Sequence, residues 1–327
     1  VERREEVGQA GQIIVFSYIV RRMLATIPVM GVVAIFVFSL LYLSPGDPAV
    51  IIAGDTATLD DIARIREKLG LDQSFYVQFG RWMWNLLHGD LGISIFTNLP
   101  VMTLIKQRIE PTVALTICTL IVTIPVAIPL GVIAAWKAGT WIDRVVMVFA
   151  VAGFSIPGFV LAYILIFTFS IGLDWLPVQG YTSIKDGFGP FLSHMVLPSV
   201  TLGLFYAALV ARITRASMLD VLSQDYVRTA QAKGLSNREV LIGHALKNAA
   251  VPIATIIGIG IALLISGVVI TETVFAIPGI GRLVVDAILR RDYPIIQGVI
   301  LMFSAWYVLV NLAVDISYTL FDPRIRY

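Results

Sequence analysis

Residues 223–252 read SQDYVRTAQAKGLSNREVLIGHALKNAAVP, a polar, helix-forming block between two long apolar runs at about 197–217 and 252–274. A membrane chain that interrupts its spans with such a block presents something structured to water. Helix formers run from Gln224 to Lys233, with Asp225 near the start and Lys233 at the end, the charge order that suits the helix dipole. Gly234 is placed to supply a left-handed residue just past the helix end. Ser236 and Glu239 have the S-x-x-E spacing of a capping box, so a second helix is predicted to start at once. That helix carries Val240, Leu241, Ala245 and Leu246 at one-face spacing, and Pro252 falls where the next span opens, in a first turn that tolerates it. Ala230, Ala232 and Gly234 put small residues at the bend, where another protein's surface can approach the backbone. On these features alone the block is equally an ordinary cytoplasmic helical hairpin.

Composition sets the class. The chain has 327 residues, of which 57% are hydrophobic and 14% charged, with a mean hydropathy of +0.86, far more apolar than a wetted soluble domain. An integral membrane protein follows. A net charge of +2 with dispersed basic residues excludes a nucleic-acid stripe. The single cysteine, Cys118, lies in an apolar run and can form no intrachain disulfide.

Six spans are predicted, at 23–43 and about 112–136, 145–172, 197–217, 252–274 and 297–320. The first has 21 residues, enough to cross about 30 Å of hydrocarbon. Its length, and the lack of a small-x-small site after it, favour an uncleaved span over a signal peptide. The third is over-long and contains Gly153, Pro157 and Gly158, which predicts a kink or an aqueous extension. Residues 1–22 form a polar tail, 44–111 an external cap, 112–320 the core transmembrane region and 321–327 a second tail. In the cap, SPGDP at 44–48 predicts a turn, and Thr58 and Asp61 cap a helix ending at Gly70. Phe75, Tyr76, Phe79, Trp82 and Trp84 follow, at a density that favours the water–lipid boundary, so the cap is expected to lie on the membrane face. With the N-terminus in the cytoplasm, the inside segments carry fourteen Lys and Arg against four outside, once the long first loop is discounted. Both termini and the 223–248 hairpin are therefore expected on the cytoplasmic side.

No positive sign of chemistry appears. There is no G-x-x-x-x-G-K-[ST], no H-E-x-x-H and no G-x-S-x-G, and His88, His194 and His244 stand far apart. No cofactor or metal is expected in this chain. Asn311 and Asp315, one turn apart in the last span, are read as helix-pairing residues. Thr271 and Glu272 close the fifth span and are candidates for the border of a solute path. Gly258, Gly260 and Gly267 are expected to let helices pack closely.

The 223–252 block resembles the EAA loop of ATP-binding-cassette (ABC) importer permeases, whose pattern is E-A-A, three residues, Gly, then a downstream Pro. Here Arg228, Thr229 and Ala230 stand at the E-A-A positions and Gly234 at the glycine. The missing acidic residue and the longer gap to Pro252 depart from the general pattern, but DYVRTAQAKGL is similar to the dipeptide/oligopeptide branch. GDLGISIFTNLPV (89–101), HMVLPSVTLG (194–203), RITRASMLDVL (212–222), TETVFAIPGIGRLVVDAILRRDYPIIQG (271–298) and the ending NLAVDISYTLFDPRIRY extend the resemblance over nearly the whole chain.

The resemblance implies an all-α polytopic permease with a type I ABC importer fold in a bacterial inner membrane. It further implies a heterodimer with a second, homologous permease, two ATPase subunits that bind ATP and Mg, and an extracytoplasmic solute-binding protein. Coupling to the ATPase falls on Arg228, Thr229, Ala230, Ala232, Gly234, Ser236, Asn237 and Glu239. Peptide is the expected cargo, with nickel chelates, glutathione, opines and oligosaccharides as alternatives within the branch. A stand-alone channel or exporter, or a membrane-bound enzyme, is the rival from another class; each predicts activity from this polypeptide alone.

Overall fold

A backbone crossing hydrocarbon has to satisfy its hydrogen bonds within its own segment, which makes each long apolar run a helix. The computed structural model describes residues 2–43, 49–50, 57–70 and 72–321. Of the side chains in those ranges it leaves out 2–20, 61, 65, 68, 69, 263, 265, 266 and 317–321. The described residues are helical, with one isolated bridge between Ile93 and Pro100. In chain order the helices are α1 Glu2–Leu43, α2 Leu59–Leu69, α3 Phe75–Leu87, α4 Val101–Trp136, α5 Trp141–Ser155 and α6 Gly158–Leu165, which continues as a wider π-turn over Ile166–Gly172. Then come α7 Phe188–Leu222, α8 Asp225–Ala232, the π-wound α9 Glu239–Leu246, α10 Ala250–Val274, α11 Ile280–Arg290 and α12 Tyr293–Phe321. The turn expected at 44–48 and the tail beyond 321 lie outside the described residues.

Among the described residues four helices are long and apolar enough to cross a membrane, and two bent pairs raise the number to six if each is one span. The helices outrun the apolar runs: α4 starts eleven residues before position 112, and α7 nine before position 197. A helix carries its hydrogen bonds with it and need not stop where the lipid does. α1 likewise runs unbroken from Glu2 through the stretch read as a polar tail.

The expected 145–172 span is two helices meeting at 102°. Ile156 is extended (φ −85°, ψ 119°), because the ring of Pro157 disfavours helical geometry in the residue before it. Pro157 itself brings no N–H to continue the ladder. The predicted kink is therefore a break, at the residues that suggested it.

The chain divides into two compact units, 1–21 with 110–282 and 309–327, and 22–109 with 283–308. In the first, α7 is the central helix: α10, α5 and α6 all pack on it. Its buried face, including Met195, Leu202, Tyr206 and Val210, meets Leu115 of α4 and Leu264 and Val268 of α10 in one core. Small residues allow this approach. A Cβ on Gly260 would fall 1.7 Å from the Tyr206 ring, one on Gly258 1.9 Å from Val314, and one on Gly267 2.6 Å from Leu202, as the expected close packing requires. Arg215 of α7 donates two hydrogen bonds to Asp143 at the start of α5, at 2.5 and 2.7 Å, and the Gly139 amide donates a third at 3.0 Å.

The second unit is built on the C-terminal half of α1. Ala34 and Val37 pack with Trp82, Met83 and Leu86 of α3 and with Ile300 and Leu301 of α12. Asp292 is buried and accepts from the Ser94 hydroxyl at 2.6 Å, which ties the 88–100 loop to the turn before α12.

Candidate functional site

The α8–α9 hairpin is held by local hydrogen bonds that its sequence announces. The Gly234 amide donates to Gln231 O at 2.9 Å and the Leu235 amide to Ala230 O at 3.3 Å, the paired bonds of a Schellman ending. Gly234 sits at φ +81° with nothing within 4 Å of a would-be Cβ, so it is required by backbone angle and not by crowding. Two residues later the Ser236 amide donates to Glu239 Oε2 at 2.8 Å and the Ser236 hydroxyl at 2.7 Å, while the Glu239 amide returns a 3.4 Å bond to the hydroxyl. These contacts hold the Glu239 carboxyl below the ordinary carboxylate range. The predicted capping box is present, although the helix it opens is π-wound.

Packing turns the hairpin into one body. Val227, Ala230 and Val240 are buried together, with Leu235, Val221 and Leu222 against them. On the other side Leu241, Ala245, Ala249 and Ile253 join Met218 of α7 and Ala135 of α4. The predicted apolar face, Val240, Leu241 and Ala245, is buried, with Leu246 packed beside it. The hairpin is thus bolted to the ends of α4 and α7 and to the start of α10, and Pro252 lies in the first turn of α10.

Of the residues named for coupling, Arg228, Thr229, Ala232, Gly234, Ser236, Asn237 and Glu239 are exposed on this hairpin. Ala230 is the exception. It is buried because the Schellman ending brings Leu235 against it. Arg228 lies 3.7 Å from Asp225, and the Thr229 hydroxyl donates to Asp225 O at 2.9 Å. Two exposed apolar residues were missed by the sequence reading, Tyr226 and Ile242, at 42% and 54% exposure. Their signal was present as apolar positions off the buried face of each helix. The Tyr226 hydroxyl accepts from Asn248 Nδ2 at 3.0 Å, which joins the start of α8 to the residues after α9.

Thr271 and Glu272 do not border open space in this chain. Both are buried, Glu272 completely. The Glu272 carboxylate accepts from the Thr112 hydroxyl at 2.5 Å and the Arg282 amide at 3.0 Å, while its carbonyl accepts from the Ile277 amide at 2.9 Å. A Cβ on Gly279 would come within 2.0 Å of that carboxylate. Glu272 therefore pins the PGIG turn to α4 at Thr112. Asn311 and Asp315 are half-buried in α12 and engaged by neighbours.

An apolar cleft of about 540 Å³ opens between α4 and α7, with Glu110 at its mouth and Ser199 along it. Glu110 accepts from the Ser183 hydroxyl at 2.5 Å and the Tyr181 hydroxyl at 3.1 Å. Burial, and then the Glu110 carboxylate, push the Tyr181 hydroxyl well above its ordinary range, so it stays a donor. Nothing in the cleft or the hairpin has the arrangement of a hydrolytic or metal centre; among the described residues no three His, Cys, Asp or Glu are grouped to hold a metal ion.

The chain carries a capped hairpin bolted to a helical membrane core, and sequence comparison gives its family. Residues 127–327 match the family described as binding-protein-dependent transport system inner membrane component, and residues 15–116 match the N-terminal part of the same kind of component. The chain belongs to this family, and it is a permease subunit of a binding-protein-dependent ABC importer. It is 56% identical to the probable peptide ABC transporter permease protein y4tP of Sinorhizobium fredii, over 95% of this chain and 99% of the relative. To a putative peptide transport system permease of Brucella abortus it is 46% identical, and to the glutathione transport system permease GsiC of Escherichia coli K12 43%, each with 95% and 99% coverage. In fold it resembles a chain of the MetNI methionine ABC transporter in an inward-facing form, with a TM-score of 0.57 at 17% identity, covering 68% of this chain and 97% of that one.

Proposed function

We propose that this chain forms half of a peptide-conducting path in a bacterial inner membrane, with both termini cytoplasmic. Its partners are a second, homologous permease, two ABC ATPases that carry ATP and Mg, and an extracytoplasmic solute-binding protein. The chain itself contributes no catalysis and no cofactor. Peptide cargo is favoured by the names of its relatives at 56% and 46% identity, with glutathione, itself a small peptide, close behind at 43%.

The observation that carries the mechanism is the α8–α9 hairpin, rigid within itself and fused to α7 and α10, with Arg228, Thr229, Ala232, Gly234, Ser236 and Asn237 facing outward. Seated in a cleft on an ATPase, such a hairpin moves as one piece when two ATPases close on ATP. The helices attached to it tilt, and access to the path switches sides. The free energy for the switch is the difference in ATP affinity between the two states.

Gly234→Val tests this. A β-branched residue at φ +81° costs about 1–2 kcal/mol of backbone energy and has space for its side chain, so the hairpin end is distorted while insertion is untouched. Uptake by the assembled transporter is expected to fall severalfold, with ATPase binding weakened in pull-down. Wild-type uptake by a correctly assembled variant would refute the coupling role.

A further inference from the structure

Helix α3 has two apolar faces and one polar line. Phe75, Phe79 and Trp82 turn towards α1, where the ring centroids of Tyr42 and Phe75 are 5.2 Å apart and those of Phe38 lie 5.4, 5.4 and 5.3 Å from Phe75, Phe79 and Trp82. Position 42 meets 75 while 38 meets 75, 79 and 82, so α3 runs antiparallel to α1. The next cluster along joins Trp82, Met83 and Leu86 to Met30, Val33, Ala34 and Val37 of α1 and to Ile300 and Leu301 of α12.

Two spans give the depth of that cluster independently. Ala34 is nine residues from Leu43, the end of the first apolar run, and Leu301 is four from position 297, where the last apolar run begins. At 1.5 Å per residue, these put the last turn of α3 roughly 6–13 Å inside the apolar layer. The chain then climbs back. Gly89 turns at φ +81°, Leu91 and Gly92 approach Gly298 and Pro294 of α12, and Ser94 reaches Asp292 just before that helix.

The outer apolar face of α3 suits lipid: Tyr76, Val77, Trp84 and Leu87 are all more than half exposed. Between the two faces, Gln78, Arg81, Asn85 and His88 recur at steps of three and four, a single line along the helix, and Asp90 follows at the tip. Gln78 is taken up by the Tyr42 hydroxyl and by Gln73 O, whereas Arg81, Asn85, His88, Gly89 and Asp90 are exposed. The Arg81 guanidinium reaches back to within 3.3 Å of the Cβ position of Gly70, ahead of the helix and towards the shallow end. Charged groups and non-helical backbone at hydrocarbon depth do not face lipid; they are sealed in protein or line water.

We propose that residues 75–95 are a re-entrant hairpin and that Arg81, Asn85, His88 and Asp90 line the aqueous solute path in the extracytoplasmic half of the membrane. Their mixed charge, cationic at the shallow end and anionic at the deep tip, suits a solute carrying both a carboxylate and an ammonium. The path and its sidedness rest on the importer function proposed above; the re-entrant geometry does not.

The test is cysteine accessibility in the full-length chain, assembled in membranes, with Cys118→Ala as background after its uptake has been checked. Asn85→Cys and His88→Cys are compared with Val77→Cys, Trp84→Cys and Leu87→Cys, using a membrane-impermeant maleimide. The polar-line positions are expected to react at least about tenfold faster than the lipid-face positions, because the reagent follows water. Equal labelling at all five would place α3 outside the bilayer and overturn the proposal, as would an absence of labelling at 85 and 88, which would mean that another protein surface covers them. The labelling needs no cargo, so peptide uptake without the pattern sinks only the hairpin, and the pattern without peptide uptake sinks only the cargo.

Discussion

Asp143 and Arg215 show how a single pair holds the core at its α5–α7 contact. The carboxylate receives three hydrogen bonds, two of them from one guanidinium, and Asp143 is 4% exposed. Breaking a partly buried pair leaves Arg215 poorly compensated, so Asp143→Asn is expected to cost about 1–3 kcal/mol, with melting in detergent as the readout. An unchanged melting temperature would show that water already reaches Arg215. Gly279 makes the opposite kind of demand, for space. Gly279→Ala puts a methyl 2.0 Å from the Glu272 carboxylate, and is expected to destabilise by about 1–3 kcal/mol through overpacking. Relief of the defect by Glu272→Ala in the same chain would tie the loss to that contact, and absence of relief would place it elsewhere. Asp143 and Glu272 are plain in the sequence, but their partners lie 72 and 160 positions away, at Arg215 and Thr112, and no local pattern points to them.

At the scale of elements, local chemistry carried the reading far. The hairpin was legible because every signal in it acts over a few residues: the glycine ending, the S-x-x-E box and the one-face apolar spacing. The break at Pro157 was legible for the same reason. The role of α3 was not, since its aromatic residues were expected on the membrane face, and only the ring contacts with Phe38 and Tyr42 lay it along α1. The hairpin's rigidity yields a prediction. Tyr226 Oη and Asn248 Nδ2 are 3.0 Å apart, so cysteines at 226 and 248 in a Cys118→Ala chain will cross-link with a short bismaleimide. Uptake is expected to survive the cross-link, as a hairpin that moves as one body is not hindered by an internal strap. Loss of uptake would show that α8 and α9 move against each other during the cycle.

For the whole molecule, the sequence lacks a nucleotide cradle, and the family is that of one component among several. The purified chain alone in liposomes is expected to pass neither ions nor peptides. ATP-dependent uptake should appear only when a partner permease, ATPases and a binding protein are added. Flux from the lone chain would favour the channel reading instead.

What the residues settled by themselves was everything decided at short range or by bulk composition: membrane residence, the helix endings and the α8–α9 hairpin. Burial of Ala230 and Glu272, the Asp143–Arg215 pair and the packing of α3 along α1 were decided only by the folded chain. Each depends on which distant segments share a contact. Amino-acid spacing encodes a helix face, but the surface that face meets is chosen by the packing of all the helices together.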